Sequence, residues 1–113
     1  MSTDLVYEDT QAGVVGANGI ATLTFNGPPS LTTRQLATIV VFCSSSTPRP
    51  TATVYRRSIQ PGSRLAATPV GNDDVFVADG ETIQSGEPFF VQWTGAQVGA
   101  TVRANAYGTD TRA

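Results

Sequence analysis

Two stretches near the end of the chain constrain the fold more than anything else in it. In Phe89-Phe90-Val91-Gln92-Trp93, residues Phe89, Val91 and Trp93 fall on one face. After Thr94-Gly95-Ala96-Gln97-Val98-Gly99, residues Val98, Ala100, Val102, Ala104 and Ala106 alternate against Thr101, Arg103, Asn105 and Tyr107. A period of two with one apolar face is a half-buried strand. The six residues between hold two glycines able to take positive φ, which allows a sharp reversal, so the pattern predicts a β-hairpin over residues 81–108. Large side chains on the first strand set beside small ones on the second would fill a core without voids.

The same alternation recurs upstream. Ile20–Phe25 places Ala21, Leu23 and Phe25 on one face and is closed by Asn26-Gly27-Pro28-Pro29. Thr51–Arg57 turns Ala52 and Val54 inward, leaving Thr53, Tyr55 and Arg57 outward. Shorter strands are expected at Leu65–Thr68, Val75–Val77 and around Thr82-Ile83, separated by Pro61-Gly62-Ser63, Gly71–Asp74 and Asp79-Gly80. About seven short strands with turn signals every 8 to 12 residues predict an all-β, antiparallel β-sandwich, immunoglobulin-like in architecture. A chain of 113 residues makes one such domain. The expected division is an N-terminal arm over 1–19, extended and glycine-rich, the sandwich over 20–108, and a polar tail over 109–113.

Arg34–Cys43 is apolar on both faces, with Leu36, Val40 and Phe42 on one and Ala37, Ile39, Val41 and Cys43 on the other. Its β-branched run Thr38–Val41 favours strand over helix. A sandwich strand needs only one buried face, so Ile39 and Val41 are expected to be covered by a neighbouring subunit, with the arm free to reach another. Tyr55 and Tyr107 fall on outward faces and complete the set of expected partner-contact residues.

Chemistry is constrained by what the chain lacks. It contains no histidine, and Cys43 is its one cysteine, which removes Ser-His-Asp and Cys-His pairs, a Cys/His zinc cluster and an intramolecular disulfide. Asp73, Asp74, Asp79 and Glu81 lie close in sequence, but their spacing does not match a calcium loop, and Asn72, Asp73, Asp74 and Asp79 read as turn residues. No metal, no cofactor and no enzymatic activity are expected. The charged fraction of 14% is well under the usual share of about 25%, and the net charge is −2 with no basic run, so nucleic acid is not an expected partner. No stretch reaches the ~20 apolar residues of a membrane helix, and MSTDLVYEDT has neither the basic nor the apolar region of a secretory signal. Trp93 shares its face with Phe89 and Val91 and reads as core. Arg56 and Arg57 point to opposite faces of one strand, so one of them needs a carboxylate or an edge position. Cys43, beside Phe42, reads as a small buried hydrophobe.

The order of ATVYRR at 52–57, PGSRLAATPVGNDD at 61–74 and ETIQSGEPFFVQWTGAQVGATVRANAYGT at 81–109 resembles small structural proteins of tailed bacteriophages that infect actinobacteria. The shared features are a strand ending in tyrosine and arginine, then Gly-Glu-Pro, Trp-Thr-Gly and Val-Gly-Ala-Thr, and the likeness runs from about Arg34 to Gly108. Seven arginines and no lysine accord with a GC-rich host. The resemblance implies a virion protein, a capsid decoration or minor tail component made in the host cytoplasm. Its implied partners are other virion proteins and copies of itself in a symmetric array. A carbohydrate-binding or host-adhesion module that holds host surface glycans is the alternative expectation.

Overall fold

The computed structural model describes residues 3–44, 50–60, 64–68 and 75–112. Among them the chain forms eight strands: β1 (Thr3–Val14), β2 (Ala21–Phe25), β3 (Thr32–Cys43), β4 (Thr51–Arg56), β5 (Arg64–Thr68), β6 (Val75–Ile83), β7 (Phe89–Thr94) and β8 (Thr101–Arg112). They make two four-stranded sheets, ordered β1-β8-β3-β6 and β2-β7-β4-β5, and every pairing is antiparallel.

The pairs β1·β8, β2·β7, β3·β6 and β4·β5 trace one long antiparallel ribbon whose tip is β4–β5. Rolling that ribbon brings β3 beside β8 and β4 beside β7, which splits it into two facing sheets. This is the strand order of an eight-stranded jelly roll. The all-β antiparallel sandwich is therefore as the alternation implies, while the jelly-roll order takes the place of the expected immunoglobulin-like one.

The expected hairpin over 81–108 does not form. β7 lies in one sheet and β8 in the other, and residues 95–100 carry the chain across the sandwich between them. Gly95 and Gly99 do adopt positive φ, at 66° and 85°. The alternation correctly identifies the inward faces, because Phe89, Val91 and Trp93 are buried along with Val102, Ala104 and Ala106. It cannot say whether the two faces lie side by side in one sheet or look at each other across two. Large and small side chains here complement one another between layers. Within the second sheet, Phe25 and Phe89 are register partners and stack with ring centroids 4.7 Å apart.

Residues 3–14, expected as part of an arm, are strand β1, paired with β8 without a register break from Thr3↔Arg112 to Val14↔Thr101. The same pairing takes up residues 109–112, expected as a tail. Composition hides both segments, because β1 buries only Tyr7 among its described side chains and its pairing is supplied by a strand about a hundred residues away. Gly13 has a packing role: a Cβ there would stand 3.1 Å from Leu23 Cδ2. The strands expected at Val75–Val77 and Thr82-Ile83 are the two ends of β6, so Asp79, expected in a turn, lies in a strand. Asn72, Asp73, Asp74 and the Pro61–Ser63 turn lie outside the described residues.

The expectation for Ile39 and Val41 also changes. β3 has a register break between Leu36 and Thr38 against both neighbours: against β8 the extra residue is Ala37, which bulges, and against β6 the extra residues lie on β6 itself, between Val77 and Glu81. A bulge reverses the side-chain phase beyond it. Thr32, Arg34 and Leu36 therefore share the inner face with Ile39, Val41 and Cys43, and all six are buried. Val40 and Phe42 turn to the outer face, half-covered. At the bulge the backbones of β3 and β8 come so close that a Cβ on Gly108 would lie 2.1 Å from the Gln35 carbonyl oxygen, so only glycine fits.

Candidate functional site

Of the four expected contact residues, Ile39 and Val41 are fully buried and cannot meet a partner. Tyr107 lies on the outer face of the β1-β8-β3-β6 sheet, and Tyr55 on the outer face of the other, each half-buried. The fold thus places the two rings on opposite sides of the sandwich. Trp93 is core, leaving it unable to act as a stacking surface for a sugar.

Polar chemistry gathers instead at one end of the sandwich, where the loops 26–31, 57–60 and 84–88 are tied together. Gly86 N–H donates to the Pro28 carbonyl at 3.0 Å, and Arg57 N–H to the Pro88 carbonyl at 2.9 Å. Thr32 N–H donates to Ser85 Oγ at 3.2 Å, and that hydroxyl donates to the Thr32 carbonyl at 2.6 Å. A Cβ on Gly27 would fall 2.4 Å from the Glu87 carbonyl oxygen, so glycine allows two of these loops to touch backbone to backbone.

Glu87 is the pivot of this end. Its buried carboxylate accepts from Arg56 Nε at 2.6 Å through Oε1 and from Arg57 Nε through Oε2. The sequence leaves one of these two arginines in need of a carboxylate or an edge position; in the fold both share one carboxylate, which draws β4 onto the loop after β6. Burial pushes the Glu87 carboxyl up, but hydrogen bonds from Arg57 and Arg56, with one from the Gln84 amide, outweigh it and hold the carboxyl below its ordinary value. A carboxylate held ionised between two guanidinium groups is a brace; it has no proton to exchange near neutrality.

The second cluster joins β1, β3 and β8. Arg34 donates to Asp110 through Nε at 2.7 Å and Nη2 at 3.0 Å, and through Nη1 to the Asn26 carbonyl at 2.9 Å. Its guanidinium carbon stands 3.5 Å over the centre of the Tyr7 ring. Both charges are largely withdrawn from water, with side-chain exposures of 7% for Arg34 and 15% for Asp110. Burial raises the Tyr7 hydroxyl from 10.0 to about 12; the Arg34 charge opposes that rise and the Asp9 and Asp110 charges add to it. Arg34 stands at an inward position of an alternating strand, and such an arginine requires a carboxylate. That signal is readable in the sequence; what conceals the partner is the position of Asp110 in a segment that looks like a tail.

The two non-glycine residues of positive φ among those described, Leu31 at 61° and Arg57 at 70°, belong to this end. Leucine is poorly suited to that conformation. Here it holds an apolar side chain 70% exposed at the tip of the loop before β3. Among the described residues no group of three acidic or sulfur ligands converges.

These clusters set opposite pH limits. Glu87 is held below its ordinary value, so the stability it contributes is present above the pKa of the unfolded chain and is lost as pH falls through the folded value. Tyr7 is raised, so stability is complete below 10.0 and is lost as pH rises through about 12. Urea midpoints measured across pH should form a plateau that falls at both ends. Glu87→Gln should lower the plateau and flatten its acid side, and Tyr7→Phe should flatten the alkaline side. Unchanged limits in both variants would remove these assignments.

No family model matches the chain, and no curated protein matches it. Two solved structures of infectious bursal disease virus are similar to it. One, of the Gt strain, is 15% identical with a TM-score of 0.31, over 96% of this chain and 32% of that one. The other, the crystal structure of the VP2 subviral particle, is 11% identical with a TM-score of 0.25, over 97% and 42%. The chain spans about a third to two-fifths of the length of the chains it matches.

Proposed function

We propose that this chain is a non-enzymatic structural protein of a tailed-bacteriophage virion, a capsid decoration or minor tail component that works through protein–protein contacts. The observation that supports it most is the strand order, β1-β8-β3-β6 over β2-β7-β4-β5. Jelly rolls of this kind serve in viral capsids, in lectins and in cupins. Without histidine the chain has no ligands for a His-lined metal site, and its one tryptophan is inside the core, which leaves the outward-facing Tyr55 and Tyr107 as the rings a sugar could stack on. Fold alone does not fix function, so the reading also draws on the resemblance of residues 34–108 to small phage structural proteins.

In such a role the polar clusters keep the domain rigid. Arg34–Asp110 locks β3 to β8, and Glu87 locks β4 to the loop before β7, so the loop end is held in one conformation before any partner arrives. Contacts at one copy can be weak, because an array of many copies adds them through effective concentration. A mass-spectrometric inventory of purified particles should contain this chain at a fixed copy number, with hundreds of copies marking the capsid shell and a few marking the tail tip. Particles from a producing culture that lack the chain would overturn the proposal.

A further inference from the structure

β1 ends its sheet, and the direction of its unpaired backbone groups can be read from its hydrogen bonds. Val15 N–H donates to the Ala100 carbonyl at 2.8 Å, and Gly99 N–H to the Val15 carbonyl at 3.0 Å, so residue 15 directs its backbone at the partner strand. The register from Thr3↔Arg112 to Val14↔Thr101 is unbroken, and antiparallel strands alternate. Odd-numbered residues of β1 therefore bond to β8, and even-numbered residues from Asp4 to Val14 direct their N–H and C=O groups away from it. Thr10 confirms the phase, because its N–H is held at 2.9 Å by the side-chain Oδ1 of Asp9. Among the described residues no strand pairs with this edge. It contains no proline, lysine or bulge of the kind that usually blunts a long edge, and it carries Val6 at 89% exposure and Val14 at 62%.

We propose that this edge pairs antiparallel with the same edge of a second copy, about a two-fold axis through Thr10. The sequence of the edge selects both occupant and register. With Thr10 opposite its own mate, Val6 lies opposite Val14 of the second copy, and Glu8 opposite Ala12. On the other face Asp9 lies opposite Gln11, a pair already joined within one chain by Gln11 Nε2 donating to Asp9 Oδ2 at 3.4 Å. The two most exposed valines on the strand cover each other, and no acidic residue faces another. Shifting the axis to Glu8 sets Glu8 against Glu8, and shifting it to Asp9 sets Asp9 against Asp9, so those registers are opposed by like charges, while shifting it the other way, to Gln11 or Ala12, loses the Val6–Val14 pair. An isologous contact of this type closes on itself and joins two four-stranded sheets into one of eight. At the axis the Thr10 N–H exchanges Asp9 Oδ1 for the Thr10 carbonyl of the second copy.

The inference deepens the self-association part of the proposed function. Its test uses the isolated chain, so a monomer in solution and a chain missing from particles are separate results. Sedimentation of the full chain should show a dimer. Thr10→Pro should halve the mass, because it removes an N–H that points to the open edge and no bond to β8. Val6→Lys combined with Val14→Lys should also halve it, by setting like charges opposite one another, and circular dichroism melts identify which variants remain folded. Thr10→Cys should cross-link to itself on mild oxidation, since a hydrogen-bonded antiparallel pair has Cα atoms about 5.5 Å apart, within the reach of a disulfide. Glu8→Cys mixed with Ala12→Cys should cross-link, and neither should do so alone. A chain that stays monomeric at every concentration overturns the proposal, as does a dimer that survives in the folded edge variants or fails to form the Thr10→Cys cross-link.

Discussion

Trp93→Ala is expected to cost about 3–5 kcal/mol, the largest loss from any single truncation in this core. The setting of the indole places it at the upper end of that range. Trp93 is fully buried on β7, and its register partners are Ala21 on β2 and Ala52 on β4. Truncation leaves three alanines side by side across the sheet, and no neighbour within that row is long enough to fill the space. Against a total stability of roughly 5–15 kcal/mol, this is a large fraction. Tyr55→Ala, which truncates a half-buried side chain on the outer face, should cost under about 1 kcal/mol. Urea denaturation followed by far-ultraviolet circular dichroism is the appropriate readout, because Trp93 is the only tryptophan and its fluorescence goes with it. A Trp93→Ala midpoint close to that of Tyr55→Ala would mean that the indole does not fill the core.

Asp110→Ala should cost a similar amount, about 3–5 kcal/mol, for a different reason. Removing the carboxylate leaves the Arg34 guanidinium buried with only the Asn26 carbonyl and the Tyr7 ring to compensate its charge. The loss is then mostly the penalty of an unpaired buried cation, and removing both charges should recover much of it. Arg34→Met with Asp110→Leu should be closer to wild type than Asp110→Ala alone. If the double variant is as unstable as the sum of the singles, the two residues are not coupled and the cluster is not a brace.

The alternation of residues such as Ala21, Leu23 and Phe25, or Phe89, Val91 and Trp93, made the sandwich and most of its core legible in the sequence, since inward faces follow from period two alone. Sheet partners did not follow from it. β7 and β8 are neighbours in sequence with matching faces, yet the crossing at residues 95–100 sends them to opposite layers. A single bulge at Ala37 changed the meaning of an entire strand, turning Ile39 and Val41 from expected contact residues into core. The polar clusters were only half visible. Arg34, and one of the pair Arg56 and Arg57, stand at positions that call for a carboxylate, but Glu87 lies 31 residues from Arg56 and Asp110 lies 76 from Arg34, at separations no local pattern reports.

The rolled ribbon also governs the order in which this domain can be made. β1 is synthesised first, but its only partner among the described strands is β8, the last of the eight. β3 likewise waits for β6 and β8, and β2 for β7, so the innermost pair, β4–β5, is the only one available early. Contacts between distant strands demand loop closure before they give anything in return, which makes such topologies slow to fold. On the ribosome the ribbon must close from its tip outward. Its first twelve-residue strand stays without a sheet until about a hundred further residues have emerged, and it joins the domain as the closing step.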